Sequence, residues 1–112
     1  MHFRLEAIPE RAELGDLTAA YQRFPKGMDA DKVLEGLPDN KCPCPHWGYV
    51  LKGRMIVKYA DGAREELTAG DVYYLPAGHT AEMKDDVAMV EFSPKHEFWQ
   101  VMAHVNKKMQ AG

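Results

Sequence analysis

The segment Cys42-Pro43-Cys44-Pro45-His46 is the densest group of chemistry-bearing side chains in the sequence. In an extended backbone alternate side chains share a face, so Cys42, Cys44 and His46 would point the same way. Pro43 and Pro45 favour that geometry, because each fixes its own φ and biases the residue before it towards extended backbone. Neither proline has an N–H to donate, which places the segment on a sheet edge or a free arm. Two thiolates and an imidazole on one face form half of a site for a borderline or soft divalent ion. Zinc fits best, and iron, nickel or copper share the donor preference. His79 is a fourth candidate donor. It follows Pro76-Ala77-Gly78, and a strand starting there would project His79, Ala81 and Met83 on one face. The candidate metal ligands are therefore Cys42, Cys44, His46 and His79.

Other readings of the same residues stay open. The one-residue spacing between the cysteines differs from the two to four residues of a zinc knuckle. Both cysteines could be ordinary buried small hydrophobes, with the histidines held by hydrogen bonds. A Cys42–Cys44 disulfide would close a tight ring, and nothing in the chain calls for an oxidising compartment. His2 is terminal, while His96 and His104 fall on a predicted helix away from its apolar stripe. No GxSxG elbow, phosphate-binding glycine loop or HExxH pair is present. Glu65-Glu66 and Asp85-Asp86 read as solvated charges. Trp47, Tyr49, Tyr73 and Tyr74 read as core aromatics beside the site.

These donors need strands to position them. Tyr49–Tyr59 is rich in β-branched and aromatic residues, and Met55, Val57 and Tyr59 alternate with polar neighbours. Asp61-Gly62 is a hairpin signal, with Ala63–Thr68 returning. Gly70-Asp71 then turns the chain into Val72–Leu75, and Pro76-Ala77-Gly78 turns it again. His79–Lys84 and Val87–Phe92 are expected to pair around Asp85-Asp86. Strands at this regular spacing predict an antiparallel sandwich or barrel. Upstream, Leu17–Phe24 fits either a strand or a helical turn, and Asp29–Glu35 fits a helical turn capped by Asp29 or Asp31. Phe98, Val101, Met102, Val105 and Met109 form one helical stripe. Ser93 is its expected N-cap and Pro94 its first residue.

The chain has 112 residues, 46% of them hydrophobic, and a formal net charge of −3. This predicts one domain over 1–112: an N-terminal extension 1–39, a barrel core 40–93 and a C-terminal helix 94–109. The acidic balance gives no basis for binding nucleic acid or an anionic membrane. No apolar run approaches the ~20 residues of a bilayer span. The charged N-terminus lacks a signal-like apolar stretch, so a cytoplasmic location is expected.

The pattern resembles the cupin superfamily over residues 40–93. The second cupin motif, Gly, five residues, Pro, one residue, Gly, is matched in full by Gly70-Asp-Val-Tyr-Tyr-Leu-Pro76-Ala-Gly78. The first motif ends in an acidic metal ligand, six residues and a glycine. Here His46 takes the acidic position and Gly53 closes the motif. The two histidines of that motif fall on Asn40 and Cys42, and the histidine of the second falls on Ala81, two residues after His79. The resemblance implies an all-β fold, a cupin-type double-stranded β-helix or jelly-roll barrel with a short N-terminal helical segment and a C-terminal helix. It also implies a homodimer, with Leu5–Phe24 adding a strand to a partner's sheet. The family's three-histidine, one-glutamate site is absent. It is either rebuilt from Cys42, Cys44, His46 and His79 or lost. Two functions follow as expectations. One is a metal-binding cupin that holds a divalent ion in the barrel mouth and, if an enzyme, acts on a small organic molecule, as cupin dioxygenases, isomerases and lyases do. The other is a non-catalytic module that binds or senses a small molecule or metal.

Overall fold

The structure, a computed structural model, describes residues 1–2, 4–5 and 11–111. Among these residues eight strands form two antiparallel sheets: β1 (Arg11–Leu14), β2 (Leu17–Phe24), β3 (His46–Lys52), β4 (Arg54–Tyr59), β5 (Arg64–Thr68), β6 (Val72–Leu75), β7 (His79–Met83) and β8 (Val87–Pro94). One sheet has the order β1-β2-β8-β3-β6, the other β5-β4-β7. Helix α1 (Asp31–Leu34) and a 3-10 turn (Pro38–Asn40) connect β2 to β3, and α2 (Lys95–Ala111) ends the chain.

Alternation along each strand builds the interior. Val50, Met55, Val57, Leu67, Leu75, Met83 and Met89 meet between the sheets, and burying each such side chain is worth about 1.5–3 kcal/mol. A second apolar cluster, with Leu34, Cys42, Cys44, Phe98 and Val101, lies where α2 covers the end of the barrel. His104 fastens α2 to the α1 segment by donating to the Glu35 carbonyl at 2.7 Å.

Three local expectations are corrected and one open alternative is resolved. Tyr49–Tyr59 is two strands in different sheets, divided at Gly53. That residue has φ +84°, and a Cβ there would lie 2.2 Å from the Asp86 carbonyl oxygen. His79–Met83 and Val87–Pro94 do not pair with each other. β7 pairs with β4, and β8 is central in the other sheet between β2 and β3. Asp85-Asp86 therefore carries the chain across, not around a hairpin. Ser93 caps no helix, because β8 runs on to Pro94 and places the Ser93 side chain inside the barrel. Leu17–Phe24 is a strand paired along its whole length with β8 of its own chain. Its neighbour β1, in the same N-terminal segment, forms the edge of that sheet, and residues 6–10 lie outside the described part.

Candidate metal centre

Three of the four sequence candidates come together. The donor atoms of Cys42, His46 and His79 all lie within 4.8 Å of one another. Cys42 Sγ is 3.5 Å from His46 Nε2, and the two imidazole rings meet edge to face with centroids 5.0 Å apart. Backbone pairing sets this arrangement. The Cys42 N–H donates to the His79 carbonyl at 2.7 Å, and the Gly78 N–H donates to the Cys42 carbonyl at 2.8 Å. The Cys42 arm is thereby stitched to the first residue of β7. His46 opens β3, where its inward parity is shared with Gly48 and Val50, and His79 opens β7 with Ala81 and Met83 on the same face.

Cys44 is not in the cluster. It is fully buried in the apolar group with Phe98 and Val101. Its thiol contacts the Pro45 carbonyl at 3.4 Å and also reaches Ser93. The aromatic expectation is met only by Tyr73, which is buried; Trp47, Tyr49 and Tyr74 lie on the outside of the five-stranded sheet.

Three further side chains complete the surroundings, and of these Glu91 had no place in the sequence reading. Ser93 Oγ lies 2.7 Å from His46 Nδ1 and Glu91 Oε1 lies 3.4 Å from the same nitrogen. The Tyr73 hydroxyl donates to Glu91 Oε2 and also lies 3.3 Å from Met89 Sδ. The signal for Glu91 was its parity. It shares the inward face of β8 with Val87 and Met89, and a carboxylate among such neighbours is buried only with partners.

The electrostatics follow from burial. Loss of water is the main cause that pushes the Cys42 thiol up to about 11 and the Cys44 thiol up to about 12. Burial pulls His46 down to about 4 and lowers His79 as well. Glu91 is raised by burial, against the hydrogen bond from Tyr73, which is itself raised by burial and by Glu91. Without a metal the site is thus two neutral imidazoles and a protonated thiol. At pH 8 a thiol raised from 9.0 to about 11 carries about a hundredfold less thiolate. In chelator-treated native protein we therefore expect both cysteines to react with Ellman's reagent at least about a hundredfold more slowly than in urea. Equal rates would contradict the described burial.

The donors fit a metal ion. The Pro76 carbonyl can only accept, so His79 Nδ1 donates to it at 2.8 Å and leaves Nε2 with a bare lone pair. Among the described residues that buried Nε2 has no hydrogen-bond partner, while Cys42 Sγ and His46 lie beside it. A buried polar atom without a partner calls for an explanation. An ion held by one sulfur and two nitrogens supplies one, and tetrahedral zinc would keep a fourth position.

Comparison with known proteins agrees with the fold. Residues 43–91 match the family model described as cupin domain. No curated protein matches the chain. Among solved structures, a cupin 2 conserved barrel domain protein from Salinispora arenicola superposes with a TM-score of 0.58 at 18% identity, covering 92% of this chain and 82% of that one. A protein assigned to ethanolamine utilization (protein Q) from Salmonella typhimurium gives 0.55 at 16% identity. It covers 72% of this chain, which spans 60% of that one. A salicylate 1,2-dioxygenase from Pseudoaminobacter salicylatoxidans gives 0.56 at 14% identity over 80% of this chain and 24% of that one. Such identities establish the fold alone. The motif spacing and the family-model match over residues 43–91 identify a cupin domain within the chain, and the two facing sheets have its fold.

Proposed function

We propose that this chain is a metal-binding cupin whose ion, zinc in the first instance with iron or nickel as alternatives, is held by Cys42, His46 and His79. The carrying observation is the buried His79 Nε2, without a hydrogen-bond partner among the described residues, beside a second imidazole and a thiol. One sulfur and two nitrogens suit zinc, and the ion would supply Lewis-acid activation of water or a small organic molecule at its fourth position. Metal analysis of untagged protein tests this. About one equivalent in the wild type, lost in Cys42→Ser, supports it. No metal after reconstitution with zinc or anaerobic iron sinks it.

A second reading, a non-catalytic module that senses or stores the ion, is favoured by a different observation. Cys42, His46 and His79 are each no more than 8% exposed, which leaves little access for a substrate. Two unpaired, buried cysteines suit a reducing, cytoplasmic setting.

The proposed assembly is a homodimer through the outer face of the five-stranded sheet. A sheet face turned to water is normally polar. Here β3 presents Trp47 and Tyr49, and β6 presents Val72 and Tyr74, with exposures of 44, 39, 81 and 52%. Trp47 and Tyr74 stack at 5.1 Å. No charge lies among these four positions, so two copies can meet across a two-fold axis without like-charge conflict. Light scattering at micromolar concentration should give twice the chain mass, and Val72→Glu with Tyr74→Glu should give the single mass. A monomeric wild type would overturn the assembly.

A further inference from the structure

We infer that Glu91 is a positioning residue for the metal centre: its carboxylate, anchored by the Tyr73 hydroxyl, holds the proton of His46 on Nδ1 and so turns a bare Nε2 towards Cys42 and His79. This rests on the proposed metal site and adds the device that makes His46 competent as a ligand. Nδ1 of His46 has two neighbours, Ser93 Oγ at 2.7 Å and Glu91 Oε1 at 3.4 Å. A hydroxyl can donate or accept, so Ser93 is compatible with either tautomer. A carboxylate oxygen accepts only. The other Glu91 oxygen accepts from the Tyr73 hydroxyl, and Oε1 is the one that lies against His46 Nδ1.

The competing tautomer would carry its proton on Nε2 and give it to Cys42 Sγ at 3.5 Å, closing the site to a cation. The two histidines are thus oriented by different means. His79 is fixed by the backbone carbonyl of Pro76, whereas His46 depends on a side chain. Outer partners of this kind orient metal-bound histidines and raise their basicity.

Glu91→Gln separates this role from packing. The amide keeps the shape. With its oxygen accepting from Tyr73, it presents an NH2 group to His46 Nδ1, which favours the proton on Nε2. Two readouts are needed: the His46 tautomer from nitrogen-15 NMR of the metal-free chain, and zinc affinity by competition with a chromophoric chelator. We expect the wild type to carry the Nδ1–H form, and Glu91→Gln to shift it to Nε2–H and weaken zinc by about 10–100-fold. Thermal unfolding of Glu91→Gln should show no loss of stability, because a buried carboxylate is replaced by a neutral group.

The inference is overturned if metal-free wild type carries Nε2–H. It is equally overturned if Glu91→Gln leaves tautomer and affinity unchanged, or weakens zinc with the tautomer unaltered. Failure of the metal reading looks different. The tautomer shift would then occur in a chain that binds no zinc.

Discussion

Replacing His79 with alanine should lower zinc affinity on the order of 100–1000-fold, since structural zinc sites bind with about 10–16 kcal/mol shared over their few ligands. The fold should survive. The link between β7 and the Cys42 arm is made by backbone atoms, through the Cys42 N–H and the His79 carbonyl. The paired control is Cys44→Ala. Cys44 is fully buried against Phe98 and Val101 and stands outside the donor cluster. Its truncation should cost about 1–2 kcal/mol of stability through lost packing while stoichiometric zinc is kept. Competition titration reads the first effect and urea unfolding the second. If Cys44→Ala abolished zinc as completely as His79→Ala, the sulfur of Cys44 would have to be a ligand. The three-donor assignment would then be wrong.

The second large effect is expected at Gly48, which has no catalytic or ligating group at all. On β3 it lies opposite Tyr73 of β6 on one side and Glu91 of β8 on the other. A Cβ built there would meet Tyr73 Cζ and its hydroxyl oxygen at 2.5 Å and the Val90 carbonyl oxygen at 2.6 Å. The carbonyl belongs to a central strand and cannot withdraw. The phenol can withdraw only by leaving Glu91. Gly48→Ala should therefore destabilise the chain by about 3 kcal/mol or more, as overpacking does at its upper end. With ordinary denaturant slopes that is a fall of about 1–3 M in the urea midpoint. An unchanged midpoint would contradict the close passage of Tyr73 across β3.

Much of the architecture was legible because strands announce themselves through alternation and turns through glycine. The glycine and proline of Gly70–Gly78, and the Asp61-Gly62 turn between β4 and β5, lie where the spacing put them. The sheet to which each strand belongs was not legible. A turn such as Asp85-Asp86 reads the same whether the chain doubles back or crosses to the opposite sheet. Gly53 divides two strands because of its own left-handed backbone and the approach of Asp86, a contact distant in sequence.

Side-chain direction at the site shows the same division. Extended backbone correctly placed Cys42 and His46 together, and strand parity placed His79 with them. Alternation alone, however, would have put Cys44 between its two neighbours. The Cys42–Pro45 arm is no regular strand, and among the described residues its only ladder contact is the single bridge from Cys42 to His79. Cys44 instead takes its place under α2, an element whose packing its own sequence neighbourhood does not reveal. The site roles of Glu91 and Ser93 were missed because their partners lie far off in sequence, 47 residues in the case of His46 and Ser93.

The central claim is the donor set, and X-ray absorption at the zinc edge of reconstituted protein tests it most directly. One sulfur is expected at about 2.3 Å and two imidazole nitrogens at about 2.0–2.1 Å, with one further light atom from water or ligand. Two sulfurs, or a shell of nitrogen and oxygen alone, would contradict it.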